Sequence, residues 1–381
     1  MVSIAVLLLV ATAAKGLGQT LGQSFQEDAL SIGVATGARA PDVRLTDQAG
    51  VKRSLAFLMG EHGLVLVFFR SADWCIFCKG QLAQLQRDLP ILQRAGLGLA
   101  AISYDSPGVL KDFATRLGIT FPLLSDHDSA VIRAYGVLDR KYYEGSQVYD
   151  ESAEIPVYGI SYSAVFVLDR SRKVKWRFAA ETEQLRLTGA AILERGVGLV
   201  TRAVRSEVDG GKVHIELTAS NAGLGLGQRS ILGVDLKIPP GMHVYGPQVG
   251  KEYHGLDWQM ESSSCATFGE ADFPASSLKL MAFDTQQLPV HQGSVRITRE
   301  LIIPPSIQPN NTAVFNLFRT TCLKDASKLA VVGTLQFQAC DDVQCFPPRS
   351  VPMHWEFKFI PPDRKRVPVE LWRVFESRDQ P

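Results

Sequence analysis

Cys75 and Cys78 stand two residues apart, Cys340 and Cys345 four, and together they are four of the six cysteines in a chain of 381 residues. Two thiols this close can interconvert between dithiol and disulfide, passing two electrons through a mixed-disulfide intermediate. The chain therefore offers two places where electrons can enter or leave. Ahead of the first pair, the apolar run Leu64 to Phe69 leads through Arg70-Ser71-Ala72-Asp73-Trp74 into Cys75-Ile76-Phe77-Cys78. Apolar residues then recur at 78, 82, 85, 89 and 92, a spacing of three and four that makes one helix face. A strand-to-helix junction puts Cys75 at a helix N-terminus, where unpaired N–H groups and the macrodipole favour the thiolate. Cys75 is thus expected to attack and Cys78 to resolve, with Lys79 adding a nearby positive charge. A structural disulfide or half a zinc site is the competing reading. Zinc would need two more ligands in a similar arrangement, and no second Cys-x-x-Cys or His-x-x-x-His exists.

The second pair ends a strand-like stretch in which Leu335, Phe337 and Ala339 alternate with Gln336 and Gln338. By that period Cys340 points away from the core. Asp341 to Gln344 can form a hairpin loop that brings Cys340 and Cys345 within disulfide range. So short a loop gives a staple little entropic leverage, which weakens a purely structural account without removing it. Phe346-Pro347-Pro348 follows as a stiff apolar shoulder. Cys265 and Cys322 either form a structural disulfide or stay as separate buried thiols, and His243 and His254 read as structural histidines.

Different elements must carry the two pairs. From Pro41 to about Arg195, strand and helix patterns alternate: Leu64 to Phe69, the helix from Cys75 to about Gln93, Leu97 to Tyr104, a helix over Pro107 to Leu117, a short helix near Ser129 to Tyr135, a hairpin over 164 to 178, and a last helix near Glu181 to Arg195. Alternation of this kind predicts a largely parallel sheet with helices on its faces. Pro90 is expected to kink or end its helix. Beyond Arg205 the period changes to two, as in Val213, Ile215 and Leu217, or Val351, Met353, Trp355 and Phe357. That pattern predicts a β-sandwich.

Size and composition fit this division. A chain of 381 residues exceeds one ordinary core, so two domains are expected. With 40 basic and 39 acidic side chains, nothing calls for a nucleic-acid partner. Val2 to Ala14 form an apolar run closing on Ala11-Thr12-Ala13, the look of a secretory signal peptide, although no basic residue precedes it. The run is shorter than the roughly 20 residues of a spanning helix, so no stable membrane span is expected, and a retained anchor is the lesser alternative. Export to the periplasm or beyond would permit disulfides. The predicted organisation is a signal peptide and start of linker over 1–20, an α/β domain over 35–196, an all-β domain over 205–360, and a tail over 361–381 lying loosely on the surface.

Residues 39 to 178 resemble the thioredoxin-like superfamily in its peroxiredoxin-related branch (AhpC/TSA, redoxin). The resemblance rests on Ala40-Pro41-Asp42, Val67-Phe68-Phe69, Trp74-Cys75-Ile76-Phe77-Cys78, Ser125-Asp126, Ala134-Tyr135-Gly136-Val137 and Phe166-Val167-Leu168-Asp169. It implies a thioredoxin-like fold and redox-active Cys75 and Cys78. The chain departs from the peroxidase pattern Pro-x-x-x-Thr-x-x-Cys. Counting back from Cys75 gives Phe68 and Ala72 at the Pro and Thr positions, and from Cys78 gives Ser71 and Cys75. Residues 159–163 also lack the proline that thioredoxin-like folds place beside the cysteines. The stretch Leu335 to Pro348, with Pro240-Gly241-Met242-His243-Val244-Tyr245, resembles the N-terminal periplasmic domain of the thiol:disulfide interchange protein DsbD. That resemblance implies an immunoglobulin-like sandwich in which Cys340 and Cys345 shuttle electrons.

The expected function is an exported thiol:disulfide oxidoreductase, with Cys75, Cys78, Cys340 and Cys345 as its redox residues. Its partners are protein thiols or disulfides, and no cofactor or metal is called for. The alternatives are a peroxiredoxin-like thiol peroxidase and a secreted binding module whose cysteines are all structural.

Overall fold

The structure is a computed structural model that describes residues 32–371, apart from 143–148, 151–154, 157–158, 181–184, 251, 282–285, 306–311 and 326. The signal peptide expected over the first residues lies outside the described part, as do the last ten residues of the tail. The amino-terminal half is built on a seven-stranded sheet. Its middle is Leu123–Ser125, Leu97–Ser103 and Gly63–Phe68, which run parallel. Gly63–Phe68 is buried along its whole length, as a continuous apolar run requires when both faces of a sheet are covered. The sheet is mixed rather than largely parallel. Hairpins close both sides, Ser163–Leu168 with Val174–Ala180 on one and Arg44–Asp47 with Lys52–Ser54 on the other, and each joins the centre antiparallel.

Three further expectations need correction. The helix Ile76–Arg94 does not end at Pro90, which lies exposed while Leu82, Leu85 and Leu92 are buried in the core. The last helix of this half starts only at Gly189, capped by the Thr188 hydroxyl, and ends at Val197. Ordered packing begins before Pro41. Ile32 and Ala40 are core residues, and the buried Arg177 guanidinium bonds the carbonyls of Ile32 and Gly33. A side chain at Gly33 (φ +82°) would meet the Phe166 ring at 2.8 Å, so only glycine fits.

The second half is β-rich, with two main sheets sharing one core. One sheet runs Val204–Val208, His214–Ala219, Gln228–Lys237, Ser294–Ile302 and Thr267–Asp272 in space; the other runs Gly223–Leu224, Arg349–Phe359, Lys328–Phe337 and Asp257–Met260. Burial along Arg349–Phe359 alternates with the sequence period, with Val351, Met353, Trp355 and Phe357 inward, and Trp355 stacks on Trp258 at 5.8 Å between ring centres. Cys265 and Cys322 are disulfide-bonded across 57 positions, a closure that stabilises by about 4 kcal/mol on the chain-entropy estimate. A smaller sheet at one end joins Ser277–Leu280, Gln287–His291, His243–Tyr245 and Ala339–Cys340.

The two halves are tied by backbone and by buried polar groups. Arg186–Leu187 leaves the first half and pairs parallel with Gln228–Arg229 of the second. Thr188 Oγ1 meets Asn221 Oδ1 at 2.9 Å and the Arg229 carbonyl at 3.1 Å, and Gln228 Nε2 donates to the Gly80 carbonyl at 2.9 Å. Arg195 and Arg229 both reach Glu300. The described part of the tail does not lie loosely. Val367 is 3% exposed within the first half's core, because Arg366 and Val367 have an ionic partner, Asp73, waiting for them there.

Candidate redox sites

Cys75 caps the helix Ile76–Arg94, its sulfur accepting from the Cys78 N–H at 3.2 Å. The two are joined as a disulfide. The loop before them is set by one carboxylate: Asp105 accepts from Ser71 Oγ (2.8 Å), the Ala72 N–H (2.7 Å) and Ser103 Oγ (2.8 Å). Burial pushes its pKa up to about 6 despite those three donors. Trp74 is held from below, its Nε1 donating to Tyr104 Oη at 2.8 Å, with the Arg70 guanidinium over its ring.

The cation that reaches the sulfurs is not Lys79. Lys79 is 1% exposed and turns its ammonium to the Lys365 carbonyl at 2.6 Å, with Asp363 at 3.9 Å; desolvation brings its pKa down to about 8. The sulfurs meet Arg186 instead. Its Nη2 lies 3.3 Å from Cys78 Sγ and 3.7 Å from Cys75 Sγ, and the residue is fully buried. No spacing rule links Arg186 to a motif more than a hundred positions earlier, so sequence reasoning missed it.

The pair is also covered. Cys78 is fully buried and Cys75 is 6% exposed. Phe77, between them, packs against the cores of both halves. On the other side Asp363 to Val367 form a strap: Arg116 and Lys79 reach Asp363, and Asp73 receives Arg366 and the Val367 N–H.

Cys340 and Cys345 are disulfide-bonded in a tight hairpin, closed by the Asp341 N–H to the Gln344 carbonyl at 3.0 Å. Cys340 is fully buried, contrary to the alternation argument. The strand Lys328–Phe337 ends before it, and Ala339–Cys340 pairs afresh with His243–Val244 in the smaller sheet, so the inward-outward count restarts. Cys345 remains partly exposed. Tyr245 Oη lies 3.4 Å from its sulfur, and Tyr253 packs on Tyr245 with ring centres 4.8 Å apart. His243, opposite Cys340 in the ladder, is fully buried, and its ring nitrogens have no hydrogen-bond partner among the described residues. Burial lowers its pKa, which favours the neutral ring. At the tip Val343 is 87% exposed. A groove of about 630 Å³ alongside is lined by Phe337, Phe346, Pro347 and Lys212 among others.

The two pairs are not brought together. Lys328 pairs with Lys358, which also pairs with Gly223 near the first half, whereas Phe337 marks the end next to Cys340. Cys75 and Cys78 belong to the core of the first half and Cys340 and Cys345 to a small cluster with Tyr245 and Val290.

A family model for the AhpC/TSA family matches residues 36–177. The chain is 34% identical over 133 residues to the thiol-disulfide oxidoreductase ResA of Geobacillus thermodenitrificans, covering 35% of this chain and 72% of that one. The chain belongs to the AhpC/TSA family. Another member, alkyl hydroperoxide reductase E of Mycobacterium tuberculosis, is 37% identical over 142 residues, 37% of this chain and 82% of its own. A solved structure of peroxidoxin BcpB from Mycobacterium tuberculosis aligns over 44% of this chain and 95% of its own, at 23% identity and a TM-score of 0.34. As an AhpC/TSA protein the chain is an enzyme of thiol redox chemistry. The matched family region ends at residue 177, before Arg186 and the β-rich half.

Proposed function

We propose that this protein is an exported thiol:disulfide oxidoreductase of two domains. The first is the thioredoxin-like domain carrying Cys75 and Cys78; the second is an immunoglobulin-like sandwich, similar to the N-terminal domain of DsbD, carrying Cys340 and Cys345. The observation that carries the reading is the Cys75–Cys78 disulfide at a helix N-terminus, with a buried guanidinium against both sulfurs. The apolar run Val2 to Ala14 supports export.

In the reducing direction, the Cys75 thiolate attacks one sulfur of a partner's disulfide. The partner's other sulfur leaves as a thiolate and takes a proton from solvent. Cys78 then attacks Cys75, releasing the second partner thiol and leaving the oxidised pair. In reverse, a partner thiolate enters at Cys75, the sulfur with some exposure, and Cys78 leaves. The strap over residues 363–367 is fastened next to the pair, at Asp73 and Lys79. The second pair is a separate station whose entry sulfur is Cys345, because Cys340 is fully buried. The two pairs sit in different cores, so electrons pass between them through protein partners or a second copy.

The test is Cys78→Ser in the full chain, incubated with a disulfide-bonded protein. A mixed disulfide at Cys75, identified by peptide mass spectrometry, is expected; an inert Cys75 overturns the reading. A thiol peroxidase is the second reading, favoured by the identity to alkyl hydroperoxide reductase E. Peroxide consumption lost in Cys75→Ser or Cys78→Ser, without insulin reduction by the parent, would establish it instead.

A further inference from the structure

His243 is fully buried, and neither Nδ1 nor Nε2 has a hydrogen-bond partner among the described residues. A buried polar group left unpaired is destabilising and calls for a reason. Its position supplies one. His243 lies directly opposite Cys340 where His243–Tyr245 pairs antiparallel with Ala339–Cys340, so the two side chains leave the same face of that sheet with Cβ atoms about 5 Å apart. Tyr245, two residues on and on the same face, has its ring centre 5.6 Å from the imidazole and its Oη 3.4 Å from Cys345 Sγ. The charged and titratable groups nearby are turned to other partners. Lys279, on Ser277–Leu280, meets Asp342 at 2.6 Å, and Asp341 accepts from the Val343 and Gln344 N–H groups at 2.8 Å each. His291, on the neighbouring strand, stands opposite Val244 rather than His243 and meets Ser276 Oγ at 3.1 Å.

A disulfide has no hydrogen to give to the imidazole. Reduction creates one, because Cys340 then carries an S–H on the face it shares with His243, and a neutral imidazole keeps one nitrogen as acceptor. Burial among Tyr245, Met281, Leu288 and Val290 makes the Cys340 thiol hard to ionise, yet disulfide exchange needs the thiolate. An adjacent base resolves that conflict. Desolvation lowers the His243 pKa, which leaves the ring neutral and able to accept a proton at neutral pH. We propose that His243 is the base that takes the Cys340 proton when Cys340 attacks a mixed disulfide held at Cys345. Oxidation of the pair by a partner disulfide then balances. The Cys345 thiolate attacks one partner sulfur, and the other leaves as a thiolate that is protonated from solvent. Cys340 next attacks Cys345 Sγ as its proton passes to His243; the Cys345–partner bond breaks, the Cys340–Cys345 bond forms, and the second partner sulfur leaves as a thiolate. His243 gives up its proton to that sulfur, and two electrons have passed from the pair to the partner. In the reverse direction the protonated ring donates to Cys340 as it leaves.

The inference deepens the oxidoreductase reading and rests on it for its use, but it is tested separately. The full chain carrying Cys75→Ser and Cys78→Ser, with its hairpin pair reduced, is mixed with the aromatic disulfide dithiobis(nitrobenzoate), and the coloured thiolate is followed against pH. One thiolate is released as Cys345 attacks, and a second, at a rate independent of reagent concentration, as Cys340 displaces the group left on Cys345. The second release is expected to reach half its maximal rate at least one unit below the ordinary thiol value of about 8.5. With His243→Gln that midpoint should move to 8.5 or above, slowing the second release at pH 7 by at least about tenfold and the first by no more than about threefold. A parent midpoint at or above 8.5 overturns the proposal even if the glutamine variant fails to fold. So does a midpoint that His243→Gln leaves unmoved, or a second release that never comes. Equal slowing of both releases overturns it too, since His243 would then hold the hairpin rather than act on Cys340. A Cys75 that traps no protein partner would sink the oxidoreductase reading alone, because the second release still decides the role of His243.

Discussion

Arg366 grips Asp73 with two parallel hydrogen bonds of 2.8 and 2.7 Å, across 293 positions of sequence, and the Val367 N–H adds a third at 2.9 Å. Asp73 is two residues from Cys75, so this clamp fastens the strap directly beside the disulfide. Asp73→Asn should keep the fold, at a cost of about 2 kcal/mol, and loosen the strap. The rate at which dithiothreitol reduces Cys75–Cys78 is expected to rise roughly tenfold, since about 1.4 kcal/mol of opening energy is worth that factor. An unchanged rate, measured by quench and peptide mapping, would show that the strap does not limit access.

Lys79 gives the strap a pH dependence. Its folded pKa is about 8, down from 10.5, because burial disfavours the ammonium. The unfolded chain therefore binds more protons than the folded one between about pH 8 and 10.5, so this residue's contribution to stability rises with pH over that window. Below pH 8 the folded state carries the full penalty. Lys79→Met removes the penalty, so parent and variant should converge in urea-unfolding free energy as pH rises from 7.5 to 10. A difference that stays constant would place the ammonium in a less costly setting.

The two sulfurs of the hairpin disulfide should react unequally. Cys340→Ser leaves the partly exposed Cys345, and is expected to form mixed disulfides with a model thiol-disulfide reagent at least tenfold faster than Cys345→Ser, which leaves the buried Cys340. Equal rates would mean that the hairpin opens freely. Tyr245→Phe, which removes the hydroxyl 3.4 Å from Cys345 Sγ, should change the Cys345 rate severalfold without altering the overall fold.

Cys265–Cys322 should behave as a staple. Replacing both with alanine is expected to cost about 4 kcal/mol and to leave exchange at Cys75 intact, whereas opening the six-residue Cys340–Cys345 ring costs about 2 kcal/mol by the same chain-entropy estimate. Thermal unfolding of the two double variants, compared with insulin reduction, separates structural from exchanging pairs.

What the sequence disclosed was local. Leu64 to Phe69 and the three-four spacing after Cys75 place a buried strand and a helix within a residue or two of where they lie, because each pattern reports its own backbone and one packed face. The inward face of Arg349–Phe359 was legible for the same reason. Cys340 was misjudged because alternation holds only while a strand keeps one partner, and there the partner changes. The tail looked loose because its charges found their counterparts hundreds of residues away. Arg186 was invisible for a related reason: a parallel pairing between the halves, which no periodicity records, delivers it to the sulfurs.

The clamp between Asp73 and Arg366 also orders events during synthesis. At 5–20 residues per second, the 293 positions between them take roughly 15–60 s to emerge. Throughout that interval the first half can fold with its cysteine pair uncovered, open to whatever oxidant or isomerase is at hand. Once the strap arrives, exchange at the pair is slower. Disulfide formation at Cys75 and Cys78 is then easiest in the nascent chain, and a shortened chain that ends before Asp363 would keep that early accessibility for life.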